Sequence, residues 1–104
     1  MKTGRLFVSD TAAADILEQA DWYESQSDES LAERWESAVT AALLRILEIP
    51  EAGTSCIFPS SKLRHVRRAR IKGFPKHLIF YRFSEGEVFI LRVIHGARDL
   101  DQLF

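Results

Sequence analysis

Cysteine is nearly absent from this sequence. The 104 residues include one, Cys56, so no internal disulfide can form and a thiolate metal site has no second ligand. That usage favours a reducing compartment. Long apolar runs are missing as well. Met1-Lys2-Thr3-Gly4-Arg5 is followed by too short an apolar stretch for a signal peptide, and nothing approaches the roughly 20 apolar residues a membrane helix needs. The expectation is a soluble, cytoplasmic protein that does not engage membranes. Repeats and low-complexity tracts are lacking too. The length suits one domain, residues 1–104, around a single core. Hydrophobic residues at 46% and charged residues at 28% are ordinary globular values, which argues against disorder.

Each half of the chain is poor in charge of one sign. Residues 1–61 carry four basic side chains against eleven acidic ones, a net of −7. Residues 62–98 carry ten basic side chains against Glu85 and Glu87 alone, a net of +8; Asp99 and Asp101 return the total to −1. Such segregation points to a surface made for an anion or an acidic partner.

The period of the apolar residues changes along the chain. Arg5 to Ser9 is short and apolar, suiting a first strand. Ser9-Asp10 offers an N-cap, with Asp10 and Asp15 where the helix dipole favours negative charge. Ala13, Ile16, Ala20 and Tyr23, with Leu17 beside them, recur at helical spacing and predict a helix from about Thr11 to Ser25. After the break at Ser25-Gln26-Ser27-Asp28, the stripe Leu31, Trp35, Val39, Ala42, Ile46 and Ile49 predicts a second helix, stopped by Pro50 and Gly53. Residues 51–61 read as a loop. The period then falls to two: Leu63–Ile71, His77–Phe83 and Val88–His95 predict three strands, the last two joined by the hairpin turn Ser84-Glu85-Gly86-Glu87. The tail from Gly96 to Phe104 suits a short helix or an extended end. The order β-α-α-β-β-β describes an α+β fold, an antiparallel sheet with an N-terminal helical hairpin packed on one face. The first strand would complete four.

The strongest chemical feature is the run Lys62, Arg64, Arg67, Arg68, Arg70 and Lys72. Alternation places Arg64, Arg68 and Arg70 on one face of a strand and Arg67 on the other. That strand suits nucleic acid phosphates and equally an acidic peptide that adds itself as a strand. No helix-turn-helix or zinc-finger signature accompanies it. Arg82 and Arg92 sit within apolar strands, where an unpaired charge is costly, so pairing across the hairpin or with a carboxylate such as Asp99 is one reading of them. Histidines His65 and His77 lack metal-ligand spacing, Cys56 has no adjacent base, and neither metal nor cofactor is expected. Trp22, Tyr23 and Trp35 fall on or near the helix stripes and are expected in the core, although an exposed Trp22 would suit a partner contact.

Several of these segments, in this order, resemble one family. Val8-Ser9-Asp10-x-Ala12-x-x-Asp15-Ile16, with Trp22-Tyr23 further on, is similar to the opening strand and first helix of RelE/ParE toxins. Ile49-Pro50-Glu51-Ala52-Gly53 resembles the end of their second helix. Arg64, Phe80-Tyr81-Arg82 and Ile90-Leu91-Arg92-Val93-Ile94-His95-Gly96-Ala97-Arg98-Asp99 resemble their sheet. The likeness spans nearly the whole chain.

The resemblance implies the toxin of a type II toxin–antitoxin system, held with a cognate antitoxin in a hetero-oligomer. ParE-like members inhibit DNA gyrase; RelE-like members cut mRNA on the ribosome, and a third outcome is a non-toxic relative that only binds its antitoxin. If the chain were a nuclease, arginines would clamp the phosphate and His95 would move a proton, giving the set Arg64, Arg82, His95 and Arg98. His95 has a structural alternative, a backbone hydrogen bond at the end of a core strand. The tyrosine or histidine that commonly completes a RelE-like site near the C-terminus is missing here, and His-Gly-Ala-Arg-Asp looks closer to the ParE-like branch. A catalytic set is therefore not assigned. Lys62, Arg64, Arg67, Arg68, Arg70, Arg92, Arg98 and Trp22 are the residues expected to meet a target or antitoxin.

Overall fold

Ser9 is the first hinge of the architecture. Its backbone N–H donates to the Ile90 carbonyl at 3.0 Å, its hydroxyl donates to the Leu91 carbonyl at 3.1 Å, and the same Oγ accepts the Ala12 N–H at 3.0 Å. One residue thus ends strand β1 (Arg5–Val8) on the sheet and caps helix α1 (Asp10–Ser25). Asp28 caps helix α2 (Glu29–Glu48) in the same manner, its carboxylate accepting the Leu31 N–H at 2.9 Å. The computed structural model describes residues 4–26, 28–58 and 64–96.

After α2, one 3-10 turn (Pro50–Ala52) leads to the two-residue strand β2 (Thr54–Ser55). Strands β3 (Val66–Ile71), β4 (Phe74–Ser84) and β5 (Glu87–His95) follow. Two tight hairpins join them. Gly73 at φ 87° serves the first; Glu85 at φ 51° and Gly86 at φ 79° serve the second. Two consecutive positive φ values match the twist of a two-residue hairpin.

The element order agrees with the sequence reading, and the sheet differs from it in two particulars. Its order is β1-β5-β4-β3-β2, with β1 parallel to β5 and every other pair antiparallel, so the sheet is mixed. Apolar alternation reports which face a strand buries and says nothing of direction. The fifth strand, β2, is too short to leave a periodic signal. Strand β3 also begins later than expected, because Arg64 and His65 form a turn with His65 at φ 64°.

Both helices cover one face of the sheet. Trp35 is fully buried at its centre, its indole N–H donating to the Ile16 carbonyl at 3.0 Å. Around it pack Ala12, Ala20, Val39, Ala42 and Ile46 from the helices and Ile71, Ile79, Tyr81, Val88, Ile90 and Val93 from the strands. The α2 stripe is as the spacing predicts through Ile46, while Ile49 remains 57% exposed. On α1, Ile16, Ala20 and Tyr23 pack in the core as expected, while Ala12 is buried in place of Ala13 and Leu17 is 58% exposed. A smaller cluster on the opposite face joins Val66, Phe80 and Ile94 with Cys56, Phe58, Leu78 and Leu91.

Candidate functional site

Alternation along β3 sorts the arginines. Ala69 and Ile71 pack with the helices, and Val66 with the opposite cluster. Arg67 therefore points to the helix side, and Arg68 and Arg70, both exposed, to the helix-free side. Arg64 precedes the strand, and its carbonyl accepts from Arg82 Nε at 3.1 Å. Lys62 and Arg98, with Asp99 and the rest of the tail, lie outside the described residues.

Arg67 has an internal task. Its Nη1 donates to the Glu51 carbonyl at 3.1 Å and the Gly53 carbonyl at 2.9 Å. Opposite it in register, Tyr81 is fully buried; its hydroxyl donates to the Pro50 carbonyl at 2.6 Å and accepts the Gly53 N–H at 3.0 Å. Burial raises the Tyr81 phenol above its ordinary value, with the Gly53 hydrogen bond and the nearby Arg67 charge opposing it. Together the two side chains fasten the turn after α2 to the sheet. Gly53 is required there, since a Cβ would fall on the Tyr81 hydroxyl. The sequence reading counted Arg67 among the docking residues and gave Tyr81 no structural role; both belong to this clamp.

Arg92 is engaged in the same way. Asp15 of α1 accepts from its Nε at 2.8 Å and Nη2 at 2.9 Å, and also from the Val93 backbone N–H at 3.0 Å. Both side chains are mostly buried, at 13% and 10% exposure. The hydrogen bond from Asp15 raises the already high Arg92 value further. A carboxylate partner is thus present in Asp15, on a helix; Asp99, the example the sequence reading gave, lies outside the described residues.

The nuclease set is divided by the sheet. His77 and His95 are cross-strand partners on the helix side, with ring centroids 5.6 Å apart, and His77 packs edge-on against Trp35 at 4.9 Å. Arg82, five residues after His77, lies on the other face. His95 is thus not brought together with Arg64 and Arg82. Burial pushes the Cys56 thiol up, partly offset by the nearby Arg68 charge. Among the described residues no group of three His, Cys, Asp or Glu could hold a metal ion. No described helix is long and apolar enough to cross a membrane.

Two surfaces among the described residues bear on docking. A groove of about 790 Å³ runs beside the C-terminal half of α2, lined by Ala42, Ile46 and Ile49 and by Ala69 and Leu78 of the sheet, with Arg45, Arg68, Arg70 and Lys76 among its walls. The ladder of β2 reaches only Arg67 and Arg68, so beyond Arg68 this edge of β3 has no strand partner among the described residues. The second surface is on α1, where Trp22 is 56% exposed as a partner contact requires and borders a cleft with Asp15, Glu18, His77 and His95.

Comparison with known proteins agrees with this geometry. The fold is similar to that of a chain from a chromosomal ParDE toxin–antitoxin system of P. aeruginosa, with a TM-score of 0.72 at 19% identity over 89% of this chain and 96% of that one. No curated protein sequence matches. The family model for the ParE toxin of the type II toxin–antitoxin system parDE matches residues 6–100. From first strand to tail, this chain belongs to the ParE toxin family.

Proposed function

We propose that this protein is a cytoplasmic toxin that inhibits DNA gyrase by binding rather than by catalysis, and that a cognate antitoxin neutralises it. The observation that carries the reading, beyond family membership, is the division of the candidate nuclease set. Metal-free RNA cleavage needs a proton carrier within hydrogen-bond reach of the group it serves, and His95 sits across the sheet from Arg64 and Arg82. An inhibitor that holds an enzyme–DNA complex needs no such group.

The groove beside α2 suits the antitoxin. An extended segment entering it would continue the line of β2, pair with the open edge of β3 and place apolar side chains against Ala42, Ile46 and Ile49. Arg45, Arg68, Arg70 and Lys76 favour acidic residues in that segment.

The test is induction of this chain alone in bacteria, with gyrase supercoiling and ribosomal mRNA cleavage assayed in parallel. Blocked supercoiling with intact mRNA is expected. Cut mRNA with normal supercoiling would make the protein a ribosome-dependent endonuclease, and no growth defect would reduce it to an antitoxin-binding relative.

A further inference from the structure

The helix-free face of the sheet carries aromatic and basic side chains together. Register aligns Phe7 of β1, Phe89 of β5 and Arg82 of β4 in one row across three strands. The two phenylalanine rings stack with centroids 5.2 Å apart and planes 13° apart, and the Arg5 guanidinium carbon lies 5.8 Å from the Phe7 ring centre. Phe7 nevertheless stays 42% exposed, so this stack ends in solvent. On the same face Arg68 and Arg70 are exposed and two residues apart, roughly 7 Å along an extended strand. The facing carboxylate, Glu87, sits 3.7 Å from Arg5, so the described residues of this face carry net positive charge.

We propose that this face binds single-stranded nucleic acid, an unpaired base extending the Phe7–Phe89 stack while Arg68, Arg70 and Arg82 lie along the backbone phosphates. Every base has a π-face, so an exposed ring flanked by guanidinium groups takes bases without regard to sequence. A duplex fits less well, because its bases are stacked on one another and offer no free face to the Phe7 ring. An acidic peptide satisfies the arginines but gives the Phe7 ring no aromatic face. The inference does not depend on gyrase being the target.

Purified protein is titrated into fluorescein-labelled oligo-dT, oligo-rU and a duplex, each about twelve nucleotides long, by fluorescence anisotropy over a salt series. Both single strands should bind more tightly than the duplex, with log affinity falling as salt rises by about 0.7 per phosphate contact. Phe7→Ala should weaken single-strand binding roughly 5- to 150-fold, the effect of one lost stacked base, while Phe7→Trp retains it. Arg70→Ala should lower the salt slope by about 0.7. A difference between the dT and rU arms tells DNA from RNA within the same chemistry. Absence of single-strand binding, or binding unchanged in a Phe7→Ala protein with the native circular dichroism spectrum, would overturn the inference. So would displacement by polyglutamate that is indifferent to Phe7. Supercoiling inhibition measured on the same preparations tells failure of this inference from failure of the gyrase reading.

Discussion

The Asp15 carboxylate of α1 holds the Arg92 guanidinium at 2.8 and 2.9 Å and caps the Val93 N–H at 3.0 Å. It does so where the β1 ladder has ended at Ile90, so a side chain stands in for the missing strand and satisfies the sheet edge. Breaking one partner of a mostly buried pair strands the other charge and costs about 3–5 kcal/mol. Asp15→Asn should lower unfolding free energy by about that amount in a denaturant titration. A loss below about 1 kcal/mol, the size of an exposed surface pair, would show that the contact is not a buried one.

The Tyr81 clamp predicts an alkaline limb. Because the folded protein holds the phenolic proton more tightly than the unfolded chain, the stabilisation is fully present below the unfolded pKa, about 10, and is lost as pH rises towards the higher folded value. Tyr81→Phe should cost about 1–3 kcal/mol at neutral pH through the stranded carbonyl and amide partners. The same variant should lose the part of the stability decline that begins above pH about 10. An unchanged alkaline profile in the variant would assign that decline to other groups.

Gly53→Ala should destabilise by about 1–3 kcal/mol, because the added methyl meets the Tyr81 hydroxyl. The double variant with Tyr81→Phe should cost less than the sum of the two changes, since removing the hydroxyl removes part of the clash. Strict additivity in thermal unfolding would show that the turn after α2 moves freely away from the sheet.

Arg68→Glu and Arg70→Glu should behave differently from Arg67→Ala. Both side chains are exposed, so stability should change by no more than about 0.5 kcal/mol. The complex with the antitoxin should weaken, and more so at low salt, where unlike charges attract over longer range. Arg67→Ala should instead unfold more easily, through the lost bonds to Glu51 and Gly53. A complex that holds unchanged after Arg64, Arg67, Arg68 and Arg70 are all made neutral would remove electrostatics from the account of antitoxin binding.

If the protein acts on gyrase as proposed, His95→Ala should leave the inhibition intact. A general acid or base at that position would contribute roughly 10²- to 10⁴-fold to cleavage. Loss of mRNA cutting on that scale in the variant, measured on ribosomes, would return His95 to a catalytic role.

Local signals in the sequence are sufficient for both helices, for strands β1, β3, β4 and β5, and for their order. Ser9 and Asp28 are small acceptors ahead of apolar stripes, and both cap helices. Glu85-Gly86 marks a hairpin, and alternation places Arg67 opposite in face to Arg68 and Arg70, as observed. What escaped the sequence is long-range. Nothing near Arg92 indicates that its counter-ion lies 77 positions earlier at Asp15. Nothing near Tyr81 indicates that its hydroxyl reaches Pro50 and Gly53. On α1 the first core position is Ala12 and not Ala13, because Ala12-Ala13-Ala14 offers no contrast in hydrophobicity and only tertiary packing chooses among them. His95 entered a nuclease set because spacing cannot tell which face of the sheet follows a turn several residues away.

The pairing of Arg5 with Glu87 and Val8 with Ile90 also sets when the molecule can come into being. Strand β1 finds its neighbour only in β5, made about 80 residues later, and β5 lies between β1 and β4. A nascent chain that stops short of Glu87 has no template for its own beginning, and its helical hairpin lacks Val88, Ile90 and Val93 from the apolar bed beneath it. Chains add roughly 5–20 residues per second, so β1 waits several seconds after its own synthesis for its partner. Completion of the sheet therefore waits until β5 has been made.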